Sequence, residues 1–199
     1  MLDREEGNFL VKLARESVES YLKEGERPET NDLPYPELKE NRGCFVTIKN
    51  NGDLKGCIGE PIPKKKLFKS VKDCAIKSAT GDPRFPSLRQ NELDDIVFEV
   101  SVLTKPKEIE EKPDRILDKV KVGRDGLIVD KGYSSGLLLP QVPLEQDWTT
   151  RDFLRHTCRK ARLPQNAWRD EETTIKKFRA QVFREEEPGG DVSEVEIDS

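Results

Sequence analysis

Apolar residues recur at helical spacing in three segments of the chain, and each repeat predicts a helix that buries one face. These helices cover residues 4–24, 67–79 and 150–162, and a shorter helix is predicted at 115–120. Asp3 and Glu6 form a capping pattern at the start of the first helix, and Gly25 stands where that helix should end. Thr149 or Thr150 is the predicted cap of the last helix.

Between these helices the period changes to two, which is typical of strands. In residues 95–104, one face is wholly apolar, whereas the other carries Glu99 and Ser101 and is expected to line a cleft. Hairpins are predicted at 43–59, turning at Asn51-Gly52, and at 126–140, and a last strand at 174–183. Hairpins interleaved with helices, without repeated βαβ units, predict an α+β fold with a mainly antiparallel sheet.

Charge is distributed unevenly along the 199 residues. Charged residues make up 37% of the chain and the net charge is −4. Residues 185–199 hold seven acids and no base, so the rest has 35 basic against 39 − 7 = 32 acidic residues, or +3. We predict that this acidic segment is a disordered tail that folding does not need. A highly charged surface is also a common feature of proteins that function at high temperature.

Several classes of protein are not supported by the sequence. The N-terminus lacks a signal-peptide pattern and no apolar run is long enough to span a bilayer, so a cytoplasmic location without membrane association is expected. The four cysteines form no C-x-x-C pair and are expected to stay reduced, and there is one histidine, so we predict no metal site. No phosphate-binding glycine loop or Ser-His-Asp order is present, and no cofactor is predicted.

The segment LKGCIGEP (54–61) places Cys57 between Gly56 and Gly59 directly after a hairpin turn. Three interpretations remain open: Cys57 packs as a small buried residue, lines a ligand site, or acts as a nucleophile or redox thiol. A nucleophile needs a nearby cation, for which Lys55 and Arg84 are candidates, and a base. The candidate bases are His156, which the helical wheel places at the flank of its helix or in solvent, and Glu99.

Polar residues at two further places are candidates for ligand binding. In GDPRFPSL (81–88), Asp82 can stop the preceding helix, while Arg84 on a proline-stiffened loop suits either an anion or an internal bridge to a carboxylate. Gln141 and Gln146 follow the strand end LLLP and could face a cleft. The lysine run 63–66 lacks the interleaved aromatic residues of a nucleic-acid site, so nucleic acid is not an expected partner.

Seven motifs occur in an order that resembles the AMMECR family: LKGCIG, GDPRFPSL, VSVL, GRDGL, LLLPQV, EQDW and CRKARLP. The resemblance covers roughly residues 5–183 and implies a domain over 1–184 like that of archaeal single-domain members, with two α/β subdomains and a cleft between them. It implies the Cys57 hairpin near that cleft, but no particular reaction. Bacterial relatives are fused to, or encoded beside, Memo-like and radical-SAM proteins, which are therefore the implied partners.

The chain departs from the family pattern at Lys55, where the family commonly has arginine, so bidentate anion binding there is weakened. His156 is not carried over as a family residue. The leading hypothesis is a cleft that binds a small ligand or a protein partner. An enzyme using Cys57 is the alternative, and an adaptor that associates with nucleic acid through the lysine run is a third hypothesis.

Overall fold

The structure of the protein, a computed structural model, describes residues 1–28, 33–111 and 113–196. In chain order its helices and strands are α1 (Arg4–Glu24), β1 (Cys44–Asn50), β2 (Asp53–Glu60), α2 (Leu67–Thr80), β3 (Ile96–Leu103), β4 (Lys107–Glu108), α3 (Pro113–Lys119), β5 (Gly126–Lys131), β6 (Ser134–Leu138), α4 (Val142–Glu145), α5 (Thr150–Lys160), β7 (Thr174–Phe178), β8 (Ala180–Glu185) and β9 (Val192–Val195). The chain divides into two compact units. The first comprises Met1–Leu103 and Gln181–Val195, and the second is formed by Thr104–Ala180.

The first unit is a five-stranded sheet, in the order β2-β1-β3-β8-β9, against which α1 and α2 pack. Antiparallel pairing joins β1 to both β2 and β3, and β8 to β9. The core contains the apolar face predicted for β3, whose four side chains are all buried: Ile96, Phe98, Val100 and Val102. The prediction of an α+β fold with antiparallel sheets is therefore confirmed.

The ends of α1 and the β1–β2 turn form as predicted. The Asp3 carboxylate accepts the Glu6 N–H and the Glu6 carboxylate accepts the Asp3 N–H, each at 2.8 Å, which completes the capping box. Asn51 and Gly52 have φ angles of 46° and 88°, as a tight hairpin with two left-handed residues requires. The loop before β1 contains a short 3-10 turn, Pro36–Lys39, and its residues 29–32 lie outside the described part of the chain.

The second unit is a four-stranded antiparallel sheet in the order β4-β7-β5-β6. Helix α5 packs on β5 and β6, and its buried residues Phe153, Leu154 and Cys158 share a core with Trp168. The hairpin predicted at 126–140 is formed by β5 and β6, and its turn consists of Gly132 and Tyr133. None of the helices in the described residues is both long and apolar enough to cross a membrane.

The prediction of a single strand over residues 174–183 is wrong. The segment forms two strands, β7 and β8, which belong to different sheets and are separated at Arg179. Strand β7 belongs to the second unit, and β8 pairs in the sheet of the first. At the break, the Thr104 N–H donates to the Arg179 carbonyl and the Arg179 N–H donates to Thr104 Oγ1, both at 2.9 Å. These bonds replace the ladder bonds that a continuous strand would make at Arg179.

The prediction of a disordered tail from residue 185 onwards is also wrong for the residues that the structure describes. Glu185 ends β8, and Val192–Val195 pair with Val182–Glu185 in the sheet of the first unit. Val192 is buried in its core. The prediction of disorder, which rested on the acidic composition, was wrong because the burial of Val192 and the pairing of four residues with β8 stabilise this segment. Ile197, the last apolar residue of the predicted tail, lies outside the described residues.

Glu185 is held by a buried ion pair with Arg15 of α1. Arg15 Nε and Nη2 donate to its two carboxylate oxygens at 2.6 and 2.7 Å, and the Phe98 N–H of β3 donates at 2.9 Å. The guanidinium also donates to the carbonyls of Leu93 and Ile96, at 3.1 and 2.6 Å. The Glu185 side chain is only 1% exposed, so these bonds replace its solvation.

A chain that ends at Glu187 should be less stable than the full-length protein by about 2 kcal/mol or more, because it loses the β9 ladder and the burial of Val192. Urea denaturation of both chains measures the difference. Glu194→Gln serves as the control, since Glu194 is exposed on the same strand and should leave the unfolding free energy unchanged. Equal midpoints for the truncated and full-length chains would contradict the packed role of β9.

Replacing Glu185 by Gln should destabilise the protein by about 3 kcal/mol, because it removes the hydrogen-bonded counter-charge of the largely buried Arg15 and leaves only the more distant Glu19, at 3.6 Å. The matched control is Glu186→Gln, an identical change at the next position, where the side chain is exposed. It should alter the unfolding free energy by less than about 0.5 kcal/mol. Similar losses in both variants would show that the Glu185 pair is not special.

Candidate functional site

Cys57 lies on β2, which forms one edge of the first unit's sheet, and its side chain is half-buried. The two glycines beside it serve close packing. A Cβ at Gly56 would collide with the carbonyl oxygen of Ser78 on α2, and one at Gly59 would collide with the ring of Phe45 on β1. The glycine spacing is therefore explained by the approach of a helix and a neighbouring side chain to β2.

The backbone amides around Cys57 are already occupied. The Cys57 N–H donates to the Asp82 carboxylate at 2.9 Å, and the Ile58 N–H donates to Ser78 Oγ at 2.8 Å. Ser78 Oγ in turn donates to the Val46 carbonyl, also at 2.8 Å. An oxyanion site requires free donors aimed at the reacting atom, and neither of these two amides is free to act as one.

The environment of Cys57 favours the protonated thiol. Burial raises its pKa, and the hydroxyl of Thr47, 3.2 Å from the sulfur, together with the charge of Arg84 lowers it only partly. The pKa consequently stays above the ordinary thiol value. Catalytic cysteines have lowered pKa values, so this environment does not favour the nucleophile hypothesis.

Asp82 organises the cluster around Cys57. Its buried carboxylate accepts from Arg84 Nε at 3.0 Å and Nη2 at 2.7 Å, and also accepts the Arg84 N–H at 3.1 Å. The bonds from Arg84 hold the pKa of the Asp82 carboxyl well below its usual range. The expected bridge between Arg84 and a carboxylate is thus present, and both partners belong to the first unit.

Arg84 is fixed and yet accessible. Its Nη2 also donates to the Cys57 carbonyl at 3.2 Å, and its guanidinium lies 5.3 Å from the centre of the Phe85 ring. The side chain is nevertheless 55% exposed, and its Nη1 has no partner among the residues that the structure describes. A guanidinium held on one edge and open on the other is suited to binding an anionic group.

Glu99 lies on the same row of the sheet as Cys57, but it is not placed to act as its base. Cys57 pairs with Thr47, and Thr47 pairs with Glu99 on the far strand, so their backbones are separated by two strand spacings of about 4.8 Å each. The Glu99 carboxylate instead pairs with Lys49 at 3.1 Å and with Arg184 at 3.8 Å. Glu99 therefore links Lys49 of β1 and Arg184 of β8 in a polar network across the sheet.

Lys55 is the residue inserted at a β-bulge, because the β1–β2 register shifts between Ile48 and Lys49 and leaves Lys55 unpaired. Its ammonium group has no partner within the described residues. Bulges commonly re-aim a side chain beside functional sites. Lys55 thus remains a second candidate cation in the first unit, close in sequence to Cys57.

The remaining predicted residues belong to the second unit, so it is the first unit alone that brings Cys57, Asp82 and Arg84 together. His156 stacks on Trp148, with ring centroids 3.9 Å apart and planes inclined by 7°. Gln146 is exposed on the surface, whereas Gln141 is half-buried and its Oε1 has no hydrogen-bond partner in the described part of the chain.

The hypothesis of nucleic-acid association through the lysine run gains no support from the described residues. In the lysine run, Lys65 is paired with Asp73 at 2.5 Å and with Glu60 at 3.5 Å, so part of its charge is already neutralised. Over residues 1–28, 33–111 and 113–196, no three histidine, cysteine or acidic side chains are grouped so that they could hold a metal ion. Thr47 and Ser78 were not among the predicted site residues, although the polar Ser78 on the buried stripe of α2 was a usable signal.

Comparison with known proteins identifies relatives over almost the whole chain. A family model described as AMMECR1 matches residues 11–183. "Protein PYRAB00100" of Pyrococcus abyssi is 49% identical over 191 residues, covering 94% of this chain and 93% of its own. "Protein MK0488" of Methanopyrus kandleri is 48% identical over 200 residues, covering 98% of this chain and 96% of its own. The crystal structure of uncharacterized protein PH0010 from Pyrococcus horikoshii matches with a TM-score of 0.90 and 48% identity, over 98% of both chains.

In the native protein, Cys57 should be the cysteine that an alkylating reagent modifies first, since Cys44, Cys74 and Cys158 are fully buried. Labelling of Cys57 at pH 7 should still be slower than that of an unstructured cysteine peptide, because its raised pKa leaves less thiolate, and it should accelerate as the pH rises. Mass mapping of iodoacetamide adducts with time measures each rate.

Thr47→Val should slow this labelling further, because it removes the hydroxyl group that lowers the pKa of Cys57, whereas Thr47→Ser should retain the wild-type rate. Faster modification of Cys57 than of the free peptide at pH 7 would contradict the protonated thiol and revive the nucleophile hypothesis.

Proposed function

The chain belongs to the AMMECR1 family, and from that premise and the geometry around Cys57 we propose that it is a binding protein whose first unit recognises an anionic group of a small ligand. The observation that carries the proposal is the state of Arg84, which is immobilised by the buried Asp82 carboxylate while its outer edge is open. Holding a cation in place before binding lowers the entropic cost of binding. The half-buried Cys57 thiol would then line the same site.

The surroundings of Cys57 favour ligand binding over catalysis. A nucleophilic thiol requires a lowered pKa, a base within hydrogen-bond reach and free donors for the developing charge. The pKa of Cys57 is raised, Glu99 is committed to Lys49 and Arg184, and the amides of Cys57 and Ile58 are engaged by Asp82 and Ser78. The same features leave Arg84 as the accessible polar group of the cluster.

The ligand class follows from the chemistry of a guanidinium edge, which pairs best with a carboxylate or a phosphate. A side-chain carboxylate of a protein partner carries the same chemistry. Memo-like and radical-SAM proteins, which the family resemblance implies as partners, are the first proteins to test for it. The proposed place of action is the cytoplasm, where a half-buried thiol stays reduced.

Arg84→Gln should weaken ligand binding at this site without unfolding the protein. A thermal-shift screen of small carboxylates and phosphorylated metabolites against the wild type should yield a ligand that raises the melting temperature and protects Cys57 from alkylation. In Arg84→Gln the affinity for that ligand should fall at least about tenfold, the loss of one charge-assisted pair.

The matched control is Arg89→Gln, which removes the same charge from an exposed position five residues further on and should bind like the wild type. The proposal fails if no ligand protects Cys57, or if Arg84→Gln and Arg89→Gln weaken binding equally. A carboxylate-bearing partner protein that binds Arg89→Gln but not Arg84→Gln would identify the ligand as part of a macromolecule.

A further inference from the structure

The second unit carries a pocket of about 380 Å³ whose lining contains three arginines and no acidic side chain. It lies between helix α5 and the segment that follows that helix. The lining residues are Arg151, Arg155, Gln165, Asn166, Trp168 and Arg169. Ligand pockets in proteins begin at roughly 300 Å³, so the space suits a small molecule.

Two of these arginines are held in place by their neighbours. Arg155 Nε and Nη2 donate to Gln165 Oε1 at 3.2 and 2.7 Å, and its Nη1 lies 3.6 Å from the Asp152 carboxylate. The Arg169 guanidinium lies 4.9 Å from the centre of the Trp168 ring, and Trp168 itself is only 3% exposed. A buried indole therefore supports one guanidinium, and a neutral amide orients the other.

The positive charge of the pocket is only partly neutralised, since of the three arginines Arg155 alone pairs with an acid, Asp152, at 3.6 Å among the ion pairs of the described residues. Arg151, one helical turn before Arg155, makes no hydrogen bond or ion pair among the described residues. Asp152 also accepts the Thr149 hydroxyl at 2.5 Å, and Asp170, the residue after Arg169, pairs with Lys131 at 2.5 Å. Three positive charges thus share one concave surface with donor groups of Gln165 and Asn166.

We propose that this arginine pocket binds the phosphate group of a small molecule. Guanidinium forks match phosphate oxygens with two bonds each, which lysine does not offer, and the lining contains arginine but no lysine. A second pocket of about 430 Å³ shares Asn166 and Arg169 with the first and includes the apolar residues Leu163, Pro164 and Ala167. It provides room for the organic part of a phosphate monoester.

The test uses the full-length protein and two probes, inorganic phosphate and glycerol phosphate, titrated by NMR at an ionic strength held constant with sodium chloride. Both probes should bind with dissociation constants on the order of 0.1–1 mM, and the shifted amides should lie in α5 and residues 165–169. Arg151→Gln and Arg169→Gln should each weaken binding at least about tenfold. Tighter binding of glycerol phosphate would identify an ester as the ligand, and equal affinities would identify free phosphate.

Arg159→Gln is the matched control, because Arg159 is exposed on the same helix but does not line the pocket. It should change the affinity less than twofold. Arg151 makes no bonds within the described residues, so its replacement tests the site even if Arg169→Gln fails to fold. The proposal is overturned if neither probe binds at 10 mM, or if Arg159→Gln weakens binding as much as Arg151→Gln, which would indicate diffuse surface charge.

Discussion

The first unit depends on one buried ion pair, which joins a helix to two strands. Glu185 of β8 accepts two bonds from Arg15 of α1 and one from the Phe98 N–H of β3, and Arg15 also donates to the carbonyls of Leu93 and Ile96. Two charges removed from water are tolerated only when nearly every donor and acceptor is satisfied, as here. The pair therefore fixes where β8 joins the sheet and where α1 crosses it.

The packing of α1 and α2 determines which face of the sheet carries the polar side chains of the candidate site. Because α1 and α2 cover the apolar face, alternation places Thr47 and Glu99 on the other. A slip of one residue would exchange the faces, so the packing of the core also sets the register of the polar row. The bonds from Thr47 to Cys57 and from Lys49 to Glu99 are consequences of that register.

Much of the fold could be predicted because its signals are local. The β3 alternation, the Asn51-Gly52 turn and the Asp3–Glu6 cap each lie within one short segment. The pairing of Glu185 with Arg15 could not, because the two are 170 residues apart and Glu185 stands in an acidic run that resembles a solvated tail. The break at Arg179 was hidden for a related reason: alternation continues through it while the partner strand changes.

The candidate site, like the fold, could be predicted only where its signal is local in the sequence. The glycine spacing identified the place around Cys57, but its chemistry depends on which groups reach β2 from elsewhere, namely Ser78 of α2 and Asp82 beyond it. Ser78 and Asp82 engage the amides of Ile58 and Cys57, so these two amides are not free to stabilise a developing oxyanion, and the Asp82 carboxylate holds Arg84 with one edge open to solvent. Gly56 allows α2 to approach β2, and Asp82, which follows α2, accepts the Cys57 N–H. In this structure, then, the cysteine motif positions an arginine.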